Sequence, residues 1–128
     1  MTVQINNVTK YKITTDFESI KNTILGKRYN LTLNFIGEKR ALLLNQNTRE
    51  KDYTPNILSF PLAKTAGEIY ICPAIAKRKA SKFEHTLNEH IGFLFIHGLL
   101  HLKGHQHSDT MERLEQSLFQ KLIVKRKS

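Results

Sequence analysis

Apolar and polar residues alternate in four short stretches of the first half of the chain, and this period of two predicts four β-strands. The predicted strands cover residues 2–8, 30–37, 57–61 and 68–72. Two helical patterns lie between them. The first follows a cap at Thr14 or Thr15 and ends at Gly26. The second runs from Glu38 to about Asn47. Pro61 ends the third predicted strand and Pro73 follows the fourth, which predicts strand ends at an edge or a cleft.

From residue 74 onward the apolar spacing becomes helical. Residues 74–80 predict a short helix, and residues 83–102 predict a long one that is apolar on most of its sides. Such a helix is usually central and buried. A last amphipathic helix follows a cap at Ser108 or Asp109 and continues to Leu122. The pattern therefore predicts an α/β (α+β) fold in one domain over residues 1–128, with a small mixed four-stranded sheet packed against the long helix.

Composition narrows the cellular setting. The only cysteine is Cys72, which excludes an internal disulfide framework and favours a reducing compartment. No apolar run approaches the roughly 18–20 residues of a membrane span. The first ten residues are polar and lack the apolar segment of a signal peptide. We therefore expect a cytoplasmic protein without a membrane partner.

The charge predicts a polyanionic partner. The net charge is +9 and the pI is about 9.8, and a basic surface of this strength favours RNA or DNA. A basic surface that is merely solvated is the simpler alternative. A cluster of cations that could follow an RNA backbone consists of Lys77, Arg78, Lys79 and Lys82. A charge run of this kind is almost as often plain solvated surface.

Four of the six histidines fall within residues 97–107. His97 and His101 are four residues apart, so a helix places them on one face with Cβ atoms about 5–6 Å apart. Gly104 is suited to end that helix, because glycine accepts the left-handed conformation. The chain can then return His107 to the same point, with His105 as a rival ligand. Surface or capping histidines are the alternative, but an unpaired imidazole on so apolar a helix would be costly to bury. The pattern predicts a three-histidine metal site with an open fourth position, suited to zinc and also to nickel, copper or iron.

The same stretch limits the chemistry. Zincin peptidases carry a glutamate base directly after the first histidine, and here that residue is Gly98. Metal-activated water would then replace the glutamate, because a bound metal lowers the pKa of water towards 7. Phosphodiester hydrolysis would also need a cation for the phosphoryl oxygens. Arg49, in a polar loop, is the best candidate, because its planar guanidinium matches the geometry of a phosphate. From composition alone, an ordinary surface arginine would be the simpler interpretation.

The chain resembles the YbeY family of bacterial rRNA maturation factors and endoribonucleases. The family signature is H-G-x-L-H-L-x-G-Y-D-H, and residues 97–107 read HGLLHLKGHQH. Three further segments fit the family's patterns: residues 44–49 its L-N-x-x-x-R, residues 56–61 its L-S-F-P strand, and residues 67–72 its G-D-I-x-I-C strand. The correspondence runs from about residue 31 to residue 118.

The resemblance implies a single-strand-specific, metal-dependent endoribonuclease, a hydrolase that acts in 16S rRNA 3′-end maturation and in ribosome quality control with the small ribosomal subunit. It implies one zinc ion, or nickel or another divalent metal, held by His97, His101 and His107. It also implies a functional Arg49 facing the metal across a basic cleft. Attack by water and attack by a ribose 2′-hydroxyl both remain open. The rival functions are a non-catalytic ribosome-assembly module and another zinc hydrolase, such as a peptidase.

The chain departs from the family signature at three positions. His105 and Gln106 stand where the signature has Tyr-Asp, and Glu68 replaces an Asp. Because Gln106 removes a carboxylate that could hydrogen-bond to a metal ligand, the surroundings of the metal are expected to differ here.

Overall fold

The structure is a computed structural model that describes residues 2–49 and 55–125, with only the backbone at Arg49. Its strands are β1 (Val3–Asn7), β2 (Asn30–Phe35), β3 (Ile57–Ala63) and β4 (Ala66–Ile71). Its helices are α1 (Phe17–Leu25), α2 (Glu38–Arg49), α3 (Pro73–Ala80), α4 (Leu87–Lys103) and α5 (Asp109–Phe119). A 3-10 turn, Ser81–Phe83, precedes α4, and a π-helical segment, Gln120–Val124, continues α5. None of these helices is long and apolar enough to cross a membrane.

The four strands form one mixed sheet in the order β1-β2-β4-β3. The first three strands in that order are parallel, and β3 runs antiparallel to β4 at the edge. Side chains on alternate positions of the central strands point to one face, where Leu33 and Ile69 are fully buried. The predicted four-stranded mixed sheet is therefore confirmed.

Helix α4 covers this buried face of the sheet. It contacts strands β3 and β4 and helices α1, α3 and α5. Phe95 at its centre is buried and packs edge-on against Phe17 of α1, with ring centroids 4.8 Å apart. Gly98 lets α4 approach the sheet closely, since a Cβ there would lie 2.9 Å from Ile57 Cδ1. The prediction of a long, central, buried helix is confirmed, and its position sets where its histidines lie.

Two predicted helix starts are wrong in detail. Helix α1 is capped by Asp16, whose carboxylate accepts a hydrogen bond from the Ser19 N–H at 3.2 Å. Thr14 and Thr15 contact Asn88 at the start of α4 instead. Thr14 donates its backbone N–H to Asn88 Oδ1, and the Thr15 hydroxyl donates to the Asn88 carbonyl oxygen. Asp16 is a good cap by residue type.

Helix α4 begins later than residue 83, where its apolar pattern starts. Glu84 has a φ of 56°, which ends the preceding 3-10 turn in a left-handed conformation. Thr86 and Glu89 then form a capping box: the Thr86 hydroxyl accepts from the Glu89 N–H, and the Glu89 carboxylate accepts from the Thr86 N–H. The helix therefore starts at Leu87.

Proline does not end the third strand as predicted. Pro61 lies inside β3, which continues to Ala63. Because β3 is an edge strand, the missing N–H of Pro61 can face away from the sheet. Pro73, by contrast, begins α3 at its first position, where a helix needs no N–H donor. Helix α2 extends to Arg49 and includes Thr48, which the sequence pattern assigns to a loop.

Candidate metal centre

The three predicted metal-binding histidines meet at the end of α4. Ligand atoms of His97, His101 and His107 all lie within 4.8 Å of one another. The Nε2 atoms of His97 and His101, one helical turn apart, are separated by 3.0 Å. His107 lies in the turn between α4 and α5. The structure therefore brings the three side chains together, as their spacing in the sequence predicts.

The turn after α4 explains why His107 returns to the helix. Gly104 has a φ of 110° and donates its N–H to the His101 carbonyl oxygen at 3.0 Å. The next N–H, that of His105, donates to the Leu100 carbonyl oxygen at 3.0 Å. This hydrogen-bonded reversal is a common helix ending that favours glycine, and the predicted helix stop at Gly104 is confirmed. Ser108 then caps α5 immediately after His107.

His105 contributes its backbone to the site. Its carbonyl oxygen is 3.0 Å from Nδ1 of His101 and accepts the Nδ1–H. That assignment of the proton leaves a lone pair on Nε2 of His101, directed towards His97. Among the described residues, the three-histidine group does not include the ring of His105. His107 is thus the third histidine of the group.

Glu115 is a site residue that the sequence analysis missed. Its Oε1 is 2.6 Å from Nδ1 of His97, and the residue is only 6% exposed. It lies on α5 midway between the buried residues Met111 and Phe119, four positions from each. An acidic residue on the apolar face of an amphipathic helix is the sequence signal that could have identified it.

The donor set of the three histidines fits a transition metal ion. Burial, and then the charge of the neighbouring His97, lower the pKa of His101 below its ordinary value. The neutral imidazole that this favours is the form that binds metals. Three nitrogen ligands suit zinc and also nickel, copper or iron. They leave a coordination position for water or substrate, which is typical of catalytic rather than structural zinc sites.

A cleft of about 400 Å³ adjoins the histidines. It is lined by Asn56, Ile57 and Ser59 from β3 and its approach, together with His97 and His101. Gly98 is buried between α4 and the sheet, and a Cβ there would also lie 2.9 Å from Ser59 Oγ. A zincin-type glutamate at this position would collide with β3, so the steric reason for Gly98 agrees with the argument against a glutamate base.

The predicted catalytic arginine is described only in part. Arg49 is the last residue of α2, but its side chain and residues 50–54 lie outside the described residues. The expectation that Arg49 faces the histidines therefore stays a prediction.

The predicted RNA-binding cations lie away from the histidines. They are the exposed residues Lys77, Arg78 and Lys79 of α3, and Lys82 of the following turn. Arg78 pairs with Glu38, and the Lys77 ammonium lies 5.8 Å from the centre of the Tyr11 ring. The turn with Lys82 leads into the start of α4, and at 1.5 Å per residue His97 is about 15 Å further along that helix. The structure does not bring the two groups together, and an RNA-binding role stays a prediction.

Comparison with known proteins establishes the family. The family model described as Endoribonuclease YbeY matches residues 2–126. The chain belongs to the YbeY family. Its resemblance to this family, first seen in the histidine signature, is thereby confirmed.

Individual YbeY relatives match along most of their length. The Endoribonuclease YbeY of Mesoplasma florum is 35% identical over 88% of this chain and 71% of its own. The Endoribonuclease YbeY of Phytoplasma australiense is 30% identical over 99% of both chains. The solution structure of TM1509 from Thermotoga maritima superposes with a TM-score of 0.70 at 26% identity, covering 98% of this chain and 91% of that one. The fold described above is thus also found in a solved structure.

Proposed function

We propose that this chain is a metal-dependent endoribonuclease that cleaves single-stranded RNA. The observation that carries the proposal is the convergence of His97, His101 and His107 beside a cleft, in a chain of the YbeY endoribonuclease family. We place its action in maturation of the 16S rRNA 3′ end and in ribosome quality control, with the small ribosomal subunit as partner. An RNA substrate and a free cysteine, Cys72, suit a cytoplasmic protein. We also propose that residues 1–128 act as one domain.

The three histidines would hold one zinc ion, with nickel or another divalent metal as the alternative. When bound, such an ion supplies Lewis-acid chemistry at a phosphoryl oxygen and lowers the pKa of water. Each of the three histidines would supply one ring nitrogen to the ion. His101 is fixed for this task by the carbonyl of His105 at 3.0 Å. In the cleft that His97 and His101 line, Asn56 and Ser59 would offer an amide and a hydroxyl to a substrate.

Cations of the chain would act on the phosphates. Arg49 is proposed to bind a phosphoryl oxygen and to stabilise the negative charge that grows there, because its guanidinium offers parallel donors. Lys77, Arg78, Lys79 and Lys82 are proposed to bind flanking phosphates. Arg78 would exchange its partner Glu38 for RNA. Binding through these residues should weaken as salt rises, since RNA releases counterions when its phosphates are neutralised.

The test compares metal-loaded wild type with His101→Ala on a single-stranded RNA and on the same RNA annealed to its complement. Metal content is measured in the same samples. We expect cleavage of the single strand by the wild type, little cleavage of the duplex, and loss of both metal and cleavage in the variant. Equal cleavage by both proteins would refute a catalytic metal. An assembly module would be indicated instead if the metal-loaded wild type and Arg49→Ala bind rRNA equally and neither cleaves it, while His101→Ala loses its metal and unfolds.

The products distinguish the two chemical routes. A cyclic phosphate or a 3′-phosphate indicates attack by the ribose 2′-hydroxyl. A 3′-hydroxyl excludes that route and indicates attack by water. End-labelled RNA treated with a phosphatase separates these products on a gel.

A further inference from the structure

We propose that Glu115 is the positioning residue of the metal centre, whose carboxylate holds the ring of His97 with Nε2 turned towards the ion. This inference rests on the proposed metal site. It adds a residue from α5, eighteen positions after His97 in the chain, that neither the histidine signature nor the cleft includes.

The contact between Glu115 and His97 determines which ring nitrogen carries a proton. Oε1 of Glu115 is 2.6 Å from Nδ1 of His97. A carboxylate can only accept hydrogen bonds, so Nδ1 has to present an N–H at this distance. In the neutral ring the lone pair then lies on Nε2, which is the atom that faces His101 at 3.0 Å. The hydrogen bond thus selects the tautomer that binds a metal through Nε2.

The burial of Glu115 argues against an incidental surface contact. The residue is 6% exposed, and it takes a position on α5 whose neighbours one turn away, Met111 and Phe119, are buried apolar side chains. A buried carboxylate is costly unless it is paired. Among the described residues, its hydrogen-bond partner is His97. An apolar side chain would fill the position without that cost, so the carboxylate points to a role at the site.

Among the described residues, no hydrogen bond joins a carboxylate to His101 or His107. His101 is oriented by the backbone carbonyl of His105. His107 is exposed, and Oε1 of Glu112 is 3.7 Å from its Nε2, too far for a hydrogen bond. Gln106, in the turn, has no carboxylate to offer. Glu115 is therefore the residue that supplies a fixed negative charge to a ligand, which raises the basicity of that ligand.

The experiment uses the full chain and three variants, and zinc affinity is measured by competition with a chromophoric chelator. Glu115→Gln keeps an oxygen that accepts the Nδ1–H and removes the charge, whereas Glu115→Leu removes both. Glu112→Gln is the matched control, because it also removes one negative charge from α5 near the site. We expect Glu115→Leu to bind zinc about 10–100-fold more weakly, Glu115→Gln to fall in between, and Glu112→Gln to stay close to the wild type.

A spectroscopic measurement separates positioning from general stability. In zinc-loaded protein the Nδ1–H of His97 should give a protected downfield proton resonance in the wild type and in Glu115→Gln. It should be lost in Glu115→Leu. Thermal unfolding of the metal-free proteins shows whether each variant folds. We expect Glu115→Leu to fold, because leucine suits a buried position.

Two results would overturn the inference. The first is equal zinc affinity in Glu115→Leu and the wild type. The second is an equal loss of zinc affinity in Glu112→Gln and Glu115→Gln, together with an unchanged His97 resonance in Glu115→Leu. A through-space effect of the negative charge would then be enough to explain the loss of affinity. Wild type that binds no zinc would overturn the proposed metal centre along with the inference. Because affinity is measured without RNA, absence of RNA cleavage would contradict the proposed function alone.

Discussion

Replacing Gly98 with alanine tests how closely α4 must approach the sheet to present its histidines. The added Cβ would lie 2.9 Å from both Ile57 Cδ1 and Ser59 Oγ, and 3.0 Å from Ile69 Cδ1. Favourable contacts between carbon atoms lie at about 3.5–4.0 Å. Because the crowded atoms belong to two strands, rotation of one side chain cannot relieve all three contacts. Relief therefore needs several buried side chains to rotate together or helix α4 to move away from β3.

Two opposing terms set the size of the effect. Alanine is favoured over glycine within a helix by about 1 kcal/mol. Overpacking of a well-filled core costs about 1–3 kcal/mol. We therefore expect Gly98→Ala to lower the free energy of unfolding by about 1 kcal/mol, or the melting temperature by about 4 °C for a chain of this size. Movement of α4 carries His97 and His101 away from His107, so zinc affinity should fall too.

Gly92→Ala is the matched control for this prediction. It lies on the same helix and gains the same helix propensity, but the three atoms nearest its Cβ would all belong to the side chain of Ile123, with Cδ1 at 2.7 Å. That one side chain belongs to the C-terminal π-helical segment and can rotate. Urea unfolding of the metal-free proteins and zinc competition should show a smaller loss of stability for Gly92→Ala, with unchanged zinc affinity. A Gly98→Ala protein with the stability and zinc affinity of the wild type would refute the close-approach argument.

Three further predictions concern the turn, a buried histidine and the first strand. Gly104→Ala should lower the free energy of unfolding, measured with urea, by about 1–2 kcal/mol, because the φ of 110° at Gly104 strains any L-residue. The same substitution should weaken zinc binding, and Gly104→Asn should recover part of the stability and part of the affinity. Burial, with the charges of His85 and Lys79, lowers the pKa of His90 to about 4, so the unfolded chain binds the proton first as pH falls. Lowering the pH from 7 to 5 should therefore cost about 2 kcal/mol more in the wild type than in His90→Leu. Hydrogen bonds from Thr2, and next from the Val3 N–H, lower the pKa of Glu18, so this carboxylate should stabilise β1 above the ordinary carboxyl pKa and lose that effect as pH falls through its lowered value. The protection factor of the Val3 amide, which corrects for the slower intrinsic exchange at low pH, should fall at that pH, and at neutral pH in Glu18→Ala.

Local geometry explains which parts of the site could be predicted from the sequence. The pairing of His97 with His101 depends only on the rise and turn of a helix. Gly104 announces the helix end because few other residues adopt its conformation. Long, strongly periodic helices and alternating strands are likewise set by short-range spacing, and the four-stranded sheet and central α4 follow from them.

Contacts between distant segments account for what could not be predicted. Glu115 reaches His97 only because α5 packs beside α4, and its surroundings in the sequence are an ordinary amphipathic helix. Asp16 caps α1, while Thr14 and Thr15 hydrogen-bond to Asn88, more than seventy residues away, in contacts that sequence spacing does not predict. The sequence predicts that Pro61 ends β3, but the strand continues past it. The proline is tolerated because β3 lies at the sheet edge, and that position is a property of the whole fold.

Zinc titration of RNA cleavage tests the central claim most directly, which is that three histidines hold the one metal ion on which catalysis depends. Metal-free wild type, His107→Ala and His105→Ala are titrated with zinc while the initial rate of single-stranded RNA cleavage is recorded. The alanine at 105 keeps the backbone carbonyl that His101 requires, so it removes only the ring outside the cluster. We predict that the rate rises to a plateau at about one equivalent of zinc in the wild type and in His105→Ala, and stays near background in His107→Ala. Cleavage that is unaffected by metal removal, or that depends on His105 instead of His107, would contradict the account.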